Sequence, residues 1–66
     1  MQTRPLSNLE IDFYYSDDGI YEATIYKIAE GEYLVIFCNH CGIGEPTVKT
    51  SSIGYATERA KKYCNW

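Results

Sequence analysis

The sequence predicts an α+β fold: a three- to four-stranded antiparallel sheet, a β-meander, with one C-terminal helix packed on one face. Three observations carry this expectation. From Leu9, apolar and polar residues alternate with a period of two, the mark of a half-buried strand. Two glycine-bearing segments, 16–19 and 29–32, divide the chain into short extended pieces, which favours antiparallel pairing of sequence neighbours. From Ile53 the apolar spacing changes to threes and fours, the period of an amphipathic helix.

Residues 1–8 contain Arg4-Pro5 and Ser7-Asn8 and read as an irregular lead-in. In the first strand Leu9, Ile11, Phe13 and Tyr15 point one way, and Glu10, Asp12 and Tyr14 the other. The apolar set is expected to face the core. Ser16-Asp17-Asp18-Gly19 follows; Gly supplies a positive φ and Asp caps the turn backbone. In the second strand Tyr21, Ala23 and Ile25 are expected inside, because Glu22 on the other set is costly to bury without a partner. Gly31 marks the second turn as a left-handed position. Segment 33–38 is apolar on both alternating sets, which suits a central strand and leaves its faces undecided. Residues 39–46 hold two glycines and a proline and read as a loop. Thr47-Val48-Lys49-Thr50 suits a short fourth strand, and Ser51-Ser52 offers an N-cap. The helix spans 53–64, with Ile53, Ala56, Ala60 and Tyr63 or Cys64 on its buried stripe and Arg59, Lys61 and Lys62 in its C-terminal half, where cations complement the helix dipole.

With 66 residues the chain forms a single small domain, 1–66. Chains of this size rarely gain more than a few kcal/mol from one core, so good packing, a metal or a partner has to supply the rest. No apolar run approaches the roughly 20 residues of a membrane helix, and the first residues show no apolar segment of a secretory signal. Three cysteines, an odd number, speak against a disulfide framework and point to a reducing cytoplasm.

The formal charge of -3 is unevenly laid out. Residues 1–33 carry Glu10, Asp12, Asp17, Asp18, Glu22, Glu30 and Glu32 against Arg4 and Lys27, while residues 34–66 are mildly basic. An acidic sheet argues against direct nucleic-acid binding, which rests on Lys and Arg against phosphates. The ordinary reading of net charge is solubility; the functional one is a protein partner with a basic surface.

Cys38-Asn39-His40-Cys41, with Cys64 further on, is the first chemical constellation. Three thiolates and an imidazole complete a tetrahedral zinc site, but His40 between the two cysteines strains the geometry. Buried packing of Cys38 and Cys64 is the bland account. A redox pair needs a helix start after it, and Gly42-Ile43-Gly44-Glu45-Pro46 is a poor one. Gly42-Ile43-Gly44 lacks the rest of a phosphate loop. His40 is the sole histidine, and no nucleophile motif accompanies it, so no catalytic residue and no cofactor are expected.

The sheet face away from the helix is the more informative feature. With the first strand turned as above, it shows Asp12, Tyr14, Glu22 and Tyr26, with Asp17 and Asp18 at the adjoining turn. Carboxylates would supply charge complementarity, and tyrosines anchor interfaces through apolar area and a polar tip; tyrosines are also simply good strand formers. The expected function is a non-enzymatic protein-binding module that occupies a basic, nucleic-acid-type site on another protein. In type, though through no motif, such a chain resembles the small inhibitors that phages and mobile elements encode against host or defence machinery. The alternative is a zinc-stabilised domain using Cys38, Cys41, Cys64 and His40. A homodimer through edge strands or helix contacts is a further arrangement the pattern allows.

Overall fold

A computed structural model describes residues 9–66; the lead-in expected at 1–8 lies outside them. Four strands, β1 (Glu10–Tyr15), β2 (Tyr21–Ala29), β3 (Glu32–Asn39) and β4 (Val48–Thr50), precede one helix, α1 (Ile53–Tyr63). The sheet order is β1-β2-β3-β4 with antiparallel pairing throughout. This is the α+β meander the periodicity predicts, with the fourth strand present.

The turns form by the chemistry the sequence suggests. Gly19 and Gly31 take φ of 74° and 70°. Asp18 Oδ1 accepts from the Ser16 hydroxyl at 2.6 Å and from the Ile20 amide at 3.0 Å. These two bonds hold the Asp18 carboxyl below its ordinary pKa. Ser52 caps α1, its hydroxyl accepting from the Tyr55 amide at 3.1 Å. At the other end Asn65, with φ of 62°, reverses the chain. The Trp66 amide donates to Lys61 O at 2.8 Å and the Asn65 amide to Lys62 O at 3.2 Å, the paired bonds of a Schellman cap.

The core is Tyr14, Ala23, Ile25, Val35, Phe37, Ala56, Ala60 and Cys64, with Tyr33, Val48 and Tyr63 packed against it. Ala56 and Ala60 are fully buried, so α1 sits close on β2 and β3. Arg59 ties the 40–46 loop to the helix: it donates to Glu45 at 3.1 Å and to the Tyr55 hydroxyl at 2.9 Å, and lies over the Phe37 ring.

One expectation is reversed. In β1 the inward residue is Tyr14, 8% exposed, while Leu9 and Ile11 are exposed. Register explains it. The four-residue connection 17–20 closes with the Ser16 amide bonded to Tyr21 O at 2.9 Å, which sets Tyr14 opposite Ala23 and Asp12 opposite Ile25. Facing residues in a ladder share a side, so Tyr14 and Asp12 join the helix side, and Phe13 and Tyr15 the other. A shift of one residue moves a whole set across the sheet. The uncovered end of the helix-side β1 surface is closed by Trp66, whose ring meets Tyr14 edge-on at 5.3 Å.

Two buried protons tie stability to alkaline pH. The Tyr14 hydroxyl donates to Asp12 Oδ2 at 2.7 Å and its pKa is pushed from 10.0 to about 12, first by burial and then by Asp12. Burial pushes the Cys64 thiol from 9.0 to about 11, with a smaller contribution from the charge of Glu22. Both groups hold protons more tightly folded than unfolded. Their contribution is complete below the ordinary values and is lost as pH rises through the folded ones. Urea midpoints should therefore fall progressively between pH 9 and 12, with Tyr14→Phe flattening the upper part of the decline. A midpoint that is level across this range would contradict the assignment.

Candidate functional site

The helix covers one face of the sheet; the other face carries the candidate site. Facing pairs place Phe13 with Thr24, Tyr15 with Glu22, Thr24 with Ile36, Tyr26 with Leu34 and Glu22 with Cys38. In β3, Val35 and Phe37 are buried under the helix, while Leu34, Ile36 and Cys38 lie on the open side, Ile36 being 40% exposed. A β-bulge sets this choice. Ala29 faces Glu32 but Lys27 faces Tyr33, so Ile28 is the extra residue on β2, and every later pair is displaced by one.

A groove of about 480 Å³ runs over this face toward the first turn. Phe13, Tyr15 and Tyr26 form its aromatic floor, and Asp17, Asp18 and Glu22 supply its charge. Phe13 and Tyr15 stack side by side with ring centres 5.9 Å apart. No lysine or arginine is among the described residues lining the groove. Of the expected contact residues, the structure brings Asp17, Asp18, Glu22 and Tyr26 together. Asp12 and Tyr14 are corrected: they lie on the helix side, bonded to each other, because the β1–β2 register turns them there. Phe13 and Tyr15 take their places. The apolar alternation of β1 belongs to these two, which is why it predicts them inside.

The cysteines also separate. Cys64 is 1% exposed at the helix terminus, its thiol 3.6 Å from Tyr21 O. Cys38 and Cys41 are exposed. Cys38 stands on the open face, opposite Glu22, while Cys64 packs with the helix-side core. The four-residue set Cys38, His40, Cys41 and Cys64 is therefore not assembled, since the sheet stands between Cys38 and Cys64. What does assemble is Glu22, Cys38 and His40, whose donor atoms lie within 4.8 Å of one another. His40 Nε2 is 3.1 Å from Glu22 Oε2 and 3.8 Å from Cys38 Sγ. The His40 amide donates to Ile20 O at 2.9 Å, prolonging the β2–β3 ladder past Asn39. His40 is the first residue past β3, in the turn that the Gly42 amide closes on Asn39 O at 3.3 Å, and its ring lies beside Cys38.

Thiol and carboxylate approach the same ring nitrogen. A nucleophile–base–carboxylate relay uses the two nitrogens for two different partners, so this arrangement does not have the geometry of a relay. What the three residues share is proximity: a carboxylate, a thiol and an imidazole with donor atoms within 4.8 Å of one another. Comparison with protein-family models, with curated proteins and with solved structures gives no match for the chain. Among the described residues no helix is long and apolar enough to cross a membrane.

Proposed function

We propose that the chain is a small, non-enzymatic binding module that occupies a basic, nucleic-acid-type site on another protein, in the manner of phage or mobile-element inhibitors of host or defence machinery. One observation carries the reading: the uncovered sheet face joins an aromatic floor of Phe13, Tyr15 and Tyr26 to the carboxylates of Asp17, Asp18 and Glu22, with no Lys or Arg among the described residues lining the groove. Such a groove suits an Arg or Lys side chain. The stem lies on the rings, and the cationic head meets a ring face or a carboxylate. The same acidity disfavours phosphate, and with it direct contact with DNA or RNA. Arg59, the best placed cation of α1, is already engaged by Glu45 and Tyr55. The cytoplasm is the compartment that fits, since three unlinked cysteines stay reduced there.

The test is a competition. The tagged chain, expressed in its native cell, should recover a protein whose nucleic-acid binding falls as the chain is added. The double variant Asp17→Lys, Glu22→Lys should lose about 2–5 kcal/mol of affinity where these carboxylates are buried against partner cations. Asp18 is left intact because it holds the turn. Recovery unaffected by the double variant, or a partner whose nucleic-acid binding is untouched, overturns the reading. Recovery of a second copy of this chain alone would assign the face to a homodimer instead.

A further inference from the structure

We propose that Glu22, Cys38 and His40 form a binding site for a single zinc(II) ion, with a fourth coordination position open to the outer side of the sheet. The donor set is a thiolate, an imidazole and a carboxylate. Soft sulfur and imidazole nitrogen select zinc over magnesium or calcium, which take oxygen. The two separations made by His40 are close to those the ion needs, and all three donor atoms lie within 4.8 Å of one another. Zinc holds nitrogen and oxygen at about 2.0–2.2 Å and sulfur at about 2.3 Å, so tetrahedral angles place N and O about 3.4 Å apart and N and S about 3.6 Å apart. The structure has 3.1 Å and 3.8 Å for these pairs, within a few tenths of an ångström of those spacings. His40 and Cys38 are exposed, so small side-chain rotations close the difference without disturbing the core.

The backbone holds the three residues in place. Glu22 stands directly across the ladder from Cys38, and the His40 ring, from the turn just after β3, reaches both. Two paired strands thus present Cys38 and Glu22, and the His40 amide bond to Ile20 O at 2.9 Å holds the third ligand just past the end of β3. Cys41 is not one of the three. It sits beyond the strand in the turn where its amide bonds Asn39 Oδ1 at 2.9 Å. On binding, the Cys38 thiol gives its proton to solvent, and its thiolate and the Glu22 carboxylate together balance the dication. With three protein ligands, the fourth position is filled by water or by a donor from outside the chain, as in open zinc sites.

The experiment titrates the reduced full chain with cobalt(II), a spectroscopic substitute for zinc, and then with zinc. One equivalent of cobalt should give a thiolate-to-metal charge-transfer band and the visible bands of tetrahedral cobalt, and zinc should bleach both. Cys38→Ser should abolish the charge-transfer band. His40→Gln and Glu22→Gln should each weaken binding by about 100-fold or more, beyond the loss typical of an outer-shell change. Cys41→Ser should leave the spectrum and affinity unchanged. Absence of the band in the wild-type chain, its survival in Cys38→Ser, or its loss in Cys41→Ser would overturn the site. Circular dichroism of each variant confirms that the fold persists. The titration needs no partner protein, so its failure leaves the partner-binding reading untouched; Glu22 belongs to both sites, so Asp17→Lys alone, which spares the metal ligands, separates loss of the partner contact from loss of the metal.

Discussion

Ile25→Ala should leave most of the chain unfolded at room temperature. Ile25 is the largest of the aliphatic side chains with no exposed surface, alongside Val35. It sits on a central strand between Asp12 of β1 and Val35 of β3, under a helix that meets the sheet through Ala56 and Ala60. Alanines cannot extend to fill a hole, and the sheet ladders on both sides of β2 resist collapse. Truncating a buried Ile costs about 2–5 kcal/mol, of which the residual cavity is a large part. A single core in a domain this small supplies only about 3–5 kcal/mol. The loss is therefore comparable with the whole stability. Ile25→Val, which removes one methylene, should cost about 0.5–1.5 kcal/mol and remain folded. Urea denaturation followed by far-ultraviolet circular dichroism distinguishes the two. Cooperative unfolding of Ile25→Ala at a midpoint near that of the wild type would show that the core lies elsewhere.

The second large effect is expected at a residue that burial alone would pass over. Trp66 is 68% exposed, yet Trp66→Ala should cost about 1–3 kcal/mol. The indole N–H donates to Tyr15 O at 2.8 Å, a bond worth about 0.5–1.5 kcal/mol. Its ring meets Tyr14 edge-on, an arrangement worth about as much again. Removing the indole also exposes the Tyr14 ring it packs on, which weakens the burial that raises the Tyr14 pKa, so the alkaline decline in stability should be smaller in the variant, with the same onset. Trp66→Phe, which keeps a ring but no donor, should recover part of the loss. An unchanged midpoint in Trp66→Ala would mean that the tail does not cover β1.

What the sequence made legible was whatever depends on neighbours in the chain. The alternation of β1 and β2, the positive φ at Gly19 and Gly31, the Ser52 cap and the burial of Ala56, Ala60 and Cys64 each follow from a few adjacent residues, whereas Ile53, expected on the same stripe, is 42% exposed in the first turn of α1. What it concealed depends on pairing register. The alternation of β1 says that one set is apolar, not which set faces α1; a four-residue connection, set by Asp17 to Ile20, decides that. Ile28 decides the same for β3. If the turn at Glu30 and Gly31 ran on without the bulge, Cys38 would face Ala23 and stand inside. With it, Cys38 faces Glu22. The cysteine spacing therefore drew attention to Cys41 and Cys64, whereas the side chain that meets Cys38 lies on the preceding strand. Asp17, Asp18, Glu22 and Tyr26 were identifiable because their placement requires only the parity of β2 and the first turn. Phe13 and Tyr15 were not, because their apolar character is what a core residue shows.

The meander also orders events in time. Each strand pairs with its sequence neighbour, so every sheet contact closes a short segment at small entropic cost, the pattern of fast-forming topologies. The Trp66–Tyr15 bond spans 51 residues and closes only after the sheet exists to receive it. Interactions absent from the transition state govern the rate of unfolding and leave the rate of folding alone. The C-terminal indole is thus a latch in the kinetic sense. It adds little to how quickly the chain finds its fold and sets how long the fold, once reached, stays shut.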